Sequence, residues 1–236
     1  MKTEKGEHDG ESCQSTNNPS EWKGRTIEID DAGTGDLVGD AFIGFRDTQS
    51  EKMIFRSIPV GLYNEENRDD RDNKLNKRMV NIIIDALRAL NHVKGDRILL
   101  CRGNCFDPVR EYFNENDIYY EPAIVEGTLQ DAVESKLIQH LRKLGVSSRN
   151  LTKEAGIQRY FILFDWVCRD FPNREKFVKT GFPSWKRRWR NIAINRYKKY
   201  QRNDFRKKSG IEQRAKEISK NMLSKPISVR DAFSDR

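Results

Sequence analysis

The segment Ile27–Phe45 reads IEIDDAGTGDLVGDAFIGF, and it sets Asp30 and Asp31 side by side where an apolar, alternating stretch runs out. Adjacent carboxylates at such a point suit metal chemistry. Hard divalent cations take carboxylate oxygens, and several must converge because Mg²⁺ keeps much of its water. Paired ions about 3.5–4 Å apart stabilise the attacking and leaving oxygens of phosphodiester hydrolysis. Asp also favours turns, so a polar hairpin loop is the plainer reading. Further along, Glu126, Asp131 and Glu134 could complete a ligand set. Asp131 also reads as closing a capping box with Thr128, and Glu126 as a solvated strand end.

A second constellation is basic and aromatic. From Lys186 to Lys208, 11 of 23 residues are Lys or Arg and only Asp204 is acidic, with Trp185, Trp189, Tyr197 and Tyr200 interleaved. Cations neutralise phosphates and aromatic rings stack on unpaired bases. Trp185, Lys186, Arg187, Arg188, Trp189, Arg190, Arg196, Lys198, Lys199 and Arg202 are therefore expected to contact nucleic acid. On a helix, Trp189, Ala193, Tyr197 and Tyr200 share one stripe, which could instead face a core and leave the cations as its solvated side. Cys101 and Cys105 form a lone C-x₃-C; with His92 and His140 it would make zinc conceivable, but no second Cys pair is present and structural zinc takes four ligands. No Ser–His–Asp pattern, phosphate-binding glycine loop or dinucleotide fingerprint is present.

The elements that must position these residues can be read from periodicity. TIEID reads as a strand, AGTGD as a turn, and LVGDAFIGF and KMIFRSIPVGLY as two further strands of an antiparallel meander. NEENRDDRDN reads as an acidic loop. A helix follows, with Leu75, Met79, Ile82, Ile83, Ala86, Leu87 and Leu90 on one face. RILLC is a strand, DPVREYFNEND a helix capped by Asp107, and IYYEPAIV a strand. GTLQDAVESKLIQHLRKLG is a helix, capped by Thr128 and ended by Gly145, with Val133, Leu137, Ile138, Leu141 and Leu144 turned inward. The order β-β-β-α-β-α-β-α over residues 26–145 implies an α/β fold: a mixed five-stranded sheet with helices on its faces. Ligands on such sheets gather at the carboxyl ends of the strands, where Asp30 and Asp31 stand. AGIQRYFILFDWVCRDF then reads as an apolar helix docked on that core.

Composition divides the chain. Its 236 residues carry a net charge of +8, but residues 1–148 sum to −7 and residues 149–236 to +15. The basic half is drawn to polyanions: nucleic acid first, a ribonucleoprotein or an acidic protein as alternatives. We expect a disordered tail at 1–24, an α/β domain at 25–148 and a basic helical extension at 149–236. No apolar run is long enough to span a bilayer, and no membrane partner is expected. The N-terminus lacks the apolar middle of a secretory signal. A cytoplasmic protein with reduced Cys13, Cys101, Cys105 and Cys168 is the expectation.

The element order and the opening motif together resemble a family. Ile29-Asp30-Asp31-Ala32-Gly33-Thr34-Gly35, followed by Val38-Gly39, resembles the first-strand motif I-D-E-A-G-x-G of type 2 ribonuclease H. The likeness covers roughly residues 26–145. It implies a ribonuclease H-like fold, Mg²⁺ or Mn²⁺ held by Asp30 and Asp31, and hydrolysis of RNA or of RNA–DNA hybrids. Two features depart from the family. Arg102 stands where its third acid would be, beside a matching Gly103-Asn104, and Thr128 follows Gly127 where its fourth acid would be. On this resemblance Asp30, Asp31 and Glu126 are the expected metal ligands, with Asp131 also catalytic. Arg102 would hold phosphate, or pair with Asp30 or Asp31 as a fixed internal cation. Loss of two acids equally implies a catalytically silent nucleic-acid binder.

Overall fold

A computed structural model describes residues 24–223 of the chain, with side chains described to residue 220. The tail expected at 1–24 lies, apart from Gly24, outside the described residues, as do Cys13 and residues 224–236. Five strands form one mixed sheet: β1 (Thr26–Ala32), β2 (Ala41–Asp47), β3 (Met53–Ile58), β4 (Arg97–Cys101) and β5 (Glu121–Ala123), in the spatial order β3-β2-β1-β4-β5. β1, β2 and β3 pair antiparallel, and β1–β4 and β4–β5 pair parallel. The expected element order is therefore found, in an α/β fold with six helices among the described residues.

Helices cover both faces. α1 (Arg68–Ala89) and α2 (Asp107–Glu115) bury Met79, Ile82, Ile83, Val109 and Phe113 against Ile27, Ile29, Phe45 and Leu100. α1 begins earlier than periodicity suggests. Asn67 caps it, its side chain accepting from the Asp69 and Asp70 amides at 2.9 and 3.3 Å. The acidic run expected as a loop is helical from Arg68 on, and Asp69 and Asp70 stand in its first turn, where carboxylates meet the positive helix end. α3 (Thr128–Lys143) packs on the other face through Leu129, Val133, Leu137 and Leu141. Its cap residue is Gly127 at φ +74°, so Thr128 is the first helical residue and no capping box forms. Likewise Asp107 opens α2 rather than capping it.

Two glycines let α3 sit close. A Cβ at Gly44 would come 3.0 Å from Leu129 Cδ1, and one at Gly33 would come 2.7 Å from Leu137 Cδ1. Gly33 also has φ +81°, open to glycine without strain.

The C-terminal segment completes a second core. α4 (Gly156–Arg169), the short α5 (Phe171–Arg174), a π-helical turn at Trp185–Trp189 and α6 (Arg190–Leu223) follow in order. Leu163, Phe164, Val167, Trp185 and Ala193 join Val38, Leu137 and Leu141 in one cluster. Burying each large apolar side chain contributes about 1.5–3 kcal/mol, so this shared core fixes α4 and α6 against α3. A bridge between Val38 and Val178 ties the chain after β1 to the segment before α6. No described helix is long and apolar enough to cross a membrane.

Candidate metal and nucleic-acid site

The parallel register of β1 on β4 ends at Ile29 opposite Leu100, so Asp30 stands beside Cys101. One ligand atom each of Asp30, Asp31 and Cys101 lies within 4.8 Å of the others, and no other described set of three or more acids, cysteines or histidines converges in this way. Asp30 is 5% exposed and has no ion pair among the described residues. Burial raises its pKa, against hydrogen bonds from Cys101 and the Asp31 backbone, and the charges of Asp31 and Glu134 add to the rise. Burial also pushes the Cys101 thiol up to about 11. Asp31 accepts from Thr34 Oγ1 at 2.6 Å and from Cys105 Sγ at 3.2 Å. Burial, followed by the charge of Asp31, raises the Cys105 pKa. The C-x₃-C motif thus supplies thiols to the acid pair. His140 is elsewhere, accepting from the Asp40 amide at 3.0 Å, and burial lowers its pKa.

The other expected acids separate. Glu126 and Asp131 are exposed and do not join the Asp30 group. Glu134, one turn beyond Asp131 on α3, lines a cleft of about 570 Å³ together with Asp31 and Asp36. It is paired there: Arg159 of α4 donates to Glu134 at 2.9 Å and to Asp36 at 3.2 Å. Arg159 also donates to the Glu154 carbonyl at 3.0 Å.

Arg102 is not the internal cation. It is exposed and makes no ion pair among the described residues; its amide donates to the Ala123 carbonyl at 3.1 Å. A buried cation does face the acidic loop, and it is Lys179. Fully buried, Lys179 donates to the Gly33 carbonyl, and its ammonium lies 4.4 Å from the Tyr63 ring centre. Burial lowers its pKa to about 8, against the attraction of Asp36, Asp40 and Asp31. Sequence reasoning missed both Lys179 and Arg159. Each is a cation in a short, mainly apolar stretch, FVKTGF and IQRYF, and that was the available signal.

The basic segment splits by exposure. Trp185, expected to contact nucleic acid, is 1% exposed and packs in the second core, out of reach of a base. Ala193 is buried, and Trp189, Tyr197 and Tyr200 pack partly against the same core, with the Tyr200 hydroxyl donating to Asp165 at 2.6 Å. The aromatic stripe thus docks on the core, and Trp189 at its start also lines the cleft. Lys186, Arg187, Arg188, Arg196, Lys198, Lys199 and Arg202 are exposed. Arg190 is exposed too and pairs with Glu175 at 2.6 Å.

Compared with protein-family models and with curated proteins, the chain matches none.

Proposed function

We propose that this chain is a ribonuclease H-like nuclease, dependent on a divalent metal and acting on the phosphodiester bonds of RNA or of RNA–DNA hybrids. One observation carries the reading: a buried carboxylate without an ion pair among the described residues, Asp30, converges with Asp31 and Cys101 at the carboxyl end of the central parallel strands. A buried anion left without a cation is costly unless protonated or coordinated. The donor set fits Mg²⁺ or Mn²⁺ through its two carboxylates, and Cys101 adds a thiol that a softer divalent ion would use. Asp30 and Asp31 would hold the ion, which when bound supplies Lewis-acid polarisation of a phosphodiester and a nucleophile near neutral pH.

The chain's own residues do the rest. Thr34 and Cys105 orient the Asp31 carboxylate. Lys179 holds the loop after β1 by binding the carbonyl of Gly33. Arg159 fixes Glu134 and Asp36 along the cleft. The exposed cations at 186–188 and 196–202 would hold the nucleic-acid backbone.

A second reading, a silent nucleic-acid binder, draws on the pairing of Glu134 with Arg159, which neutralises an acid whose charge reaches Asp30. Calorimetric titration with Mn²⁺ and Mg²⁺ separates the two. The enzyme reading predicts saturable binding at millimolar metal or below, lost in Asp30→Asn. Absence of binding in the unmodified protein would leave the second reading.

A further inference from the structure

The cleft beside the acid pair has a wall that the proposed chemistry leaves unused. Tyr160, Phe161 and Trp189 form a cluster of edge-on rings there, with centroid separations of 5.7 Å for Tyr160–Trp189, 6.1 Å for Phe161–Trp189 and 5.7 Å for Tyr160–Phe161. Phe161 is 47% exposed and Ile157, one turn before it, is 65% exposed, so apolar surface is presented along α4 at the mouth. Asp31, Asp36, Glu134 and Arg159 supply the polar part of the same lining. The volume of about 570 Å³ falls within the size range of small-molecule sites.

Charge selects the occupant. The turn that carries Trp189 also carries the exposed Lys186, Arg187 and Arg188, and the Arg188 guanidinium lies 5.1 Å from the centre of the Trp189 ring. The amino end of α4 opens on the cleft at Gly156 and Ile157 without a side-chain cap, so its amides add partial positive charge. An aromatic wall with a guanidinium beside it complements a nucleotide: a base for the rings and its phosphate for the cation.

We propose that this cleft takes one unpaired base next to the phosphodiester presented to Asp31, and that this narrows the substrates proposed above to single-stranded RNA, or a hybrid with an unpaired nucleotide, rather than an uninterrupted duplex. This rests on the nucleic-acid part of the function proposed above and not on cleavage. A duplex keeps its bases stacked and offers none to the rings. A single strand offers one at the cost of little unstacking.

The test is a binding cycle with the full chain and no divalent metal, read by fluorescence anisotropy. Oligonucleotides of one sequence are compared as single strand, as blunt duplex, and as single strand with one abasic position moved along it. The proteins are wild type, Phe161→Ala and Ile157→Ser, two changes at exposed positions. Wild type should bind the single strand about tenfold more tightly than the duplex and lose about tenfold at one abasic position. In Phe161→Ala both differences should shrink towards unity, and in Ile157→Ser they should shrink in part. Equal affinity of wild type for single strand and duplex would overturn the proposal. So would an abasic penalty unchanged in both variants. Cleavage is a separate outcome: intact base recognition without hydrolysis would remove the nuclease reading and leave the cleft as assigned.

Discussion

Arg159 of α4 and Glu134 of α3 are joined at 2.9 Å, and the same guanidinium reaches Asp36 at 3.2 Å. This is how the C-terminal segment closes on the cleft. Arg159 and Asp36 are both buried, so removing the cation leaves Asp36 without its ion-pair partner. Arg159→Ala should cost about 3–5 kcal/mol of stability in urea denaturation. Glu134→Gln should cost far less, since Glu134 is more than a third exposed and its attraction is screened. A loss under 1 kcal/mol for Arg159→Ala would show that the two elements hold without it.

Asp30 predicts a conflict between stability and function. Its pKa is raised in the folded state, so the stability linked to it is present at low pH and is lost as pH rises through the folded value. At pH 7 the ionised carboxylate is a burden to the metal-free protein. Asp30→Asn should therefore melt higher than wild type without metal, by the order of 1 kcal/mol. Millimolar Mn²⁺ should reverse the ranking by stabilising wild type alone. Thermal melts of the two proteins with Mn²⁺ and with a chelator check both halves.

Lys179 gives the opposite sign. A base with a lowered folded pKa, about 8 here, binds fewer protons folded than unfolded once pH passes that value, so stability rises with pH towards the ordinary lysine range. Between pH 7 and 9.5 wild type should gain about 2 kcal/mol relative to Lys179→Met, by the linkage integral for one such group. Parallel stability–pH curves for the two proteins would show that this amine titrates normally.

The basic segment divides into two kinds of position. Gln at Lys198, Lys199 or Arg202 should each lower the salt slope of nucleic-acid binding by about 1 and leave stability within about 0.5 kcal/mol. Trp185→Ala should instead cost about 3–5 kcal/mol of stability through loss of a filled core position. A change in salt slope for Trp185→Ala without loss of stability would reverse that division.

The sheet was legible because its pattern is local. The alternation in TIEID, the helical spacing from Met79 to Leu87 and the glycine after Leu144 each report their own element. The start of α1 was hidden, because Asp69 and Asp70 look like loop residues until Asn67 caps the turn beneath them. In the site, the adjacent aspartates were visible as a pair. Their partners were not, since Cys101 and Cys105 reach Asp30 and Asp31 from a different strand and the turn after it. Arg159 and Lys179 reach the same loop across 123 and 146 residues of sequence, a distance no spacing rule spans. The aromatic stripe at 189–200 had two readings at equal periodicity; Ala193, Tyr197 and Tyr200 pack on the core, while Trp189 packs there and also lines the cleft.

The central claim is tested most directly by cleavage. Labelled single-stranded RNA, RNA–DNA hybrid and double-stranded RNA are incubated with Mg²⁺ or Mn²⁺, with wild type beside Asp30→Asn and Asp31→Asn. The account predicts metal-dependent hydrolysis of at least one substrate by wild type, and a loss of at least about a hundredfold in each variant. Binding of these nucleic acids without hydrolysis under any metal would contradict it. So would hydrolysis that survives both substitutions, because the chemistry would then lie outside the acid pair.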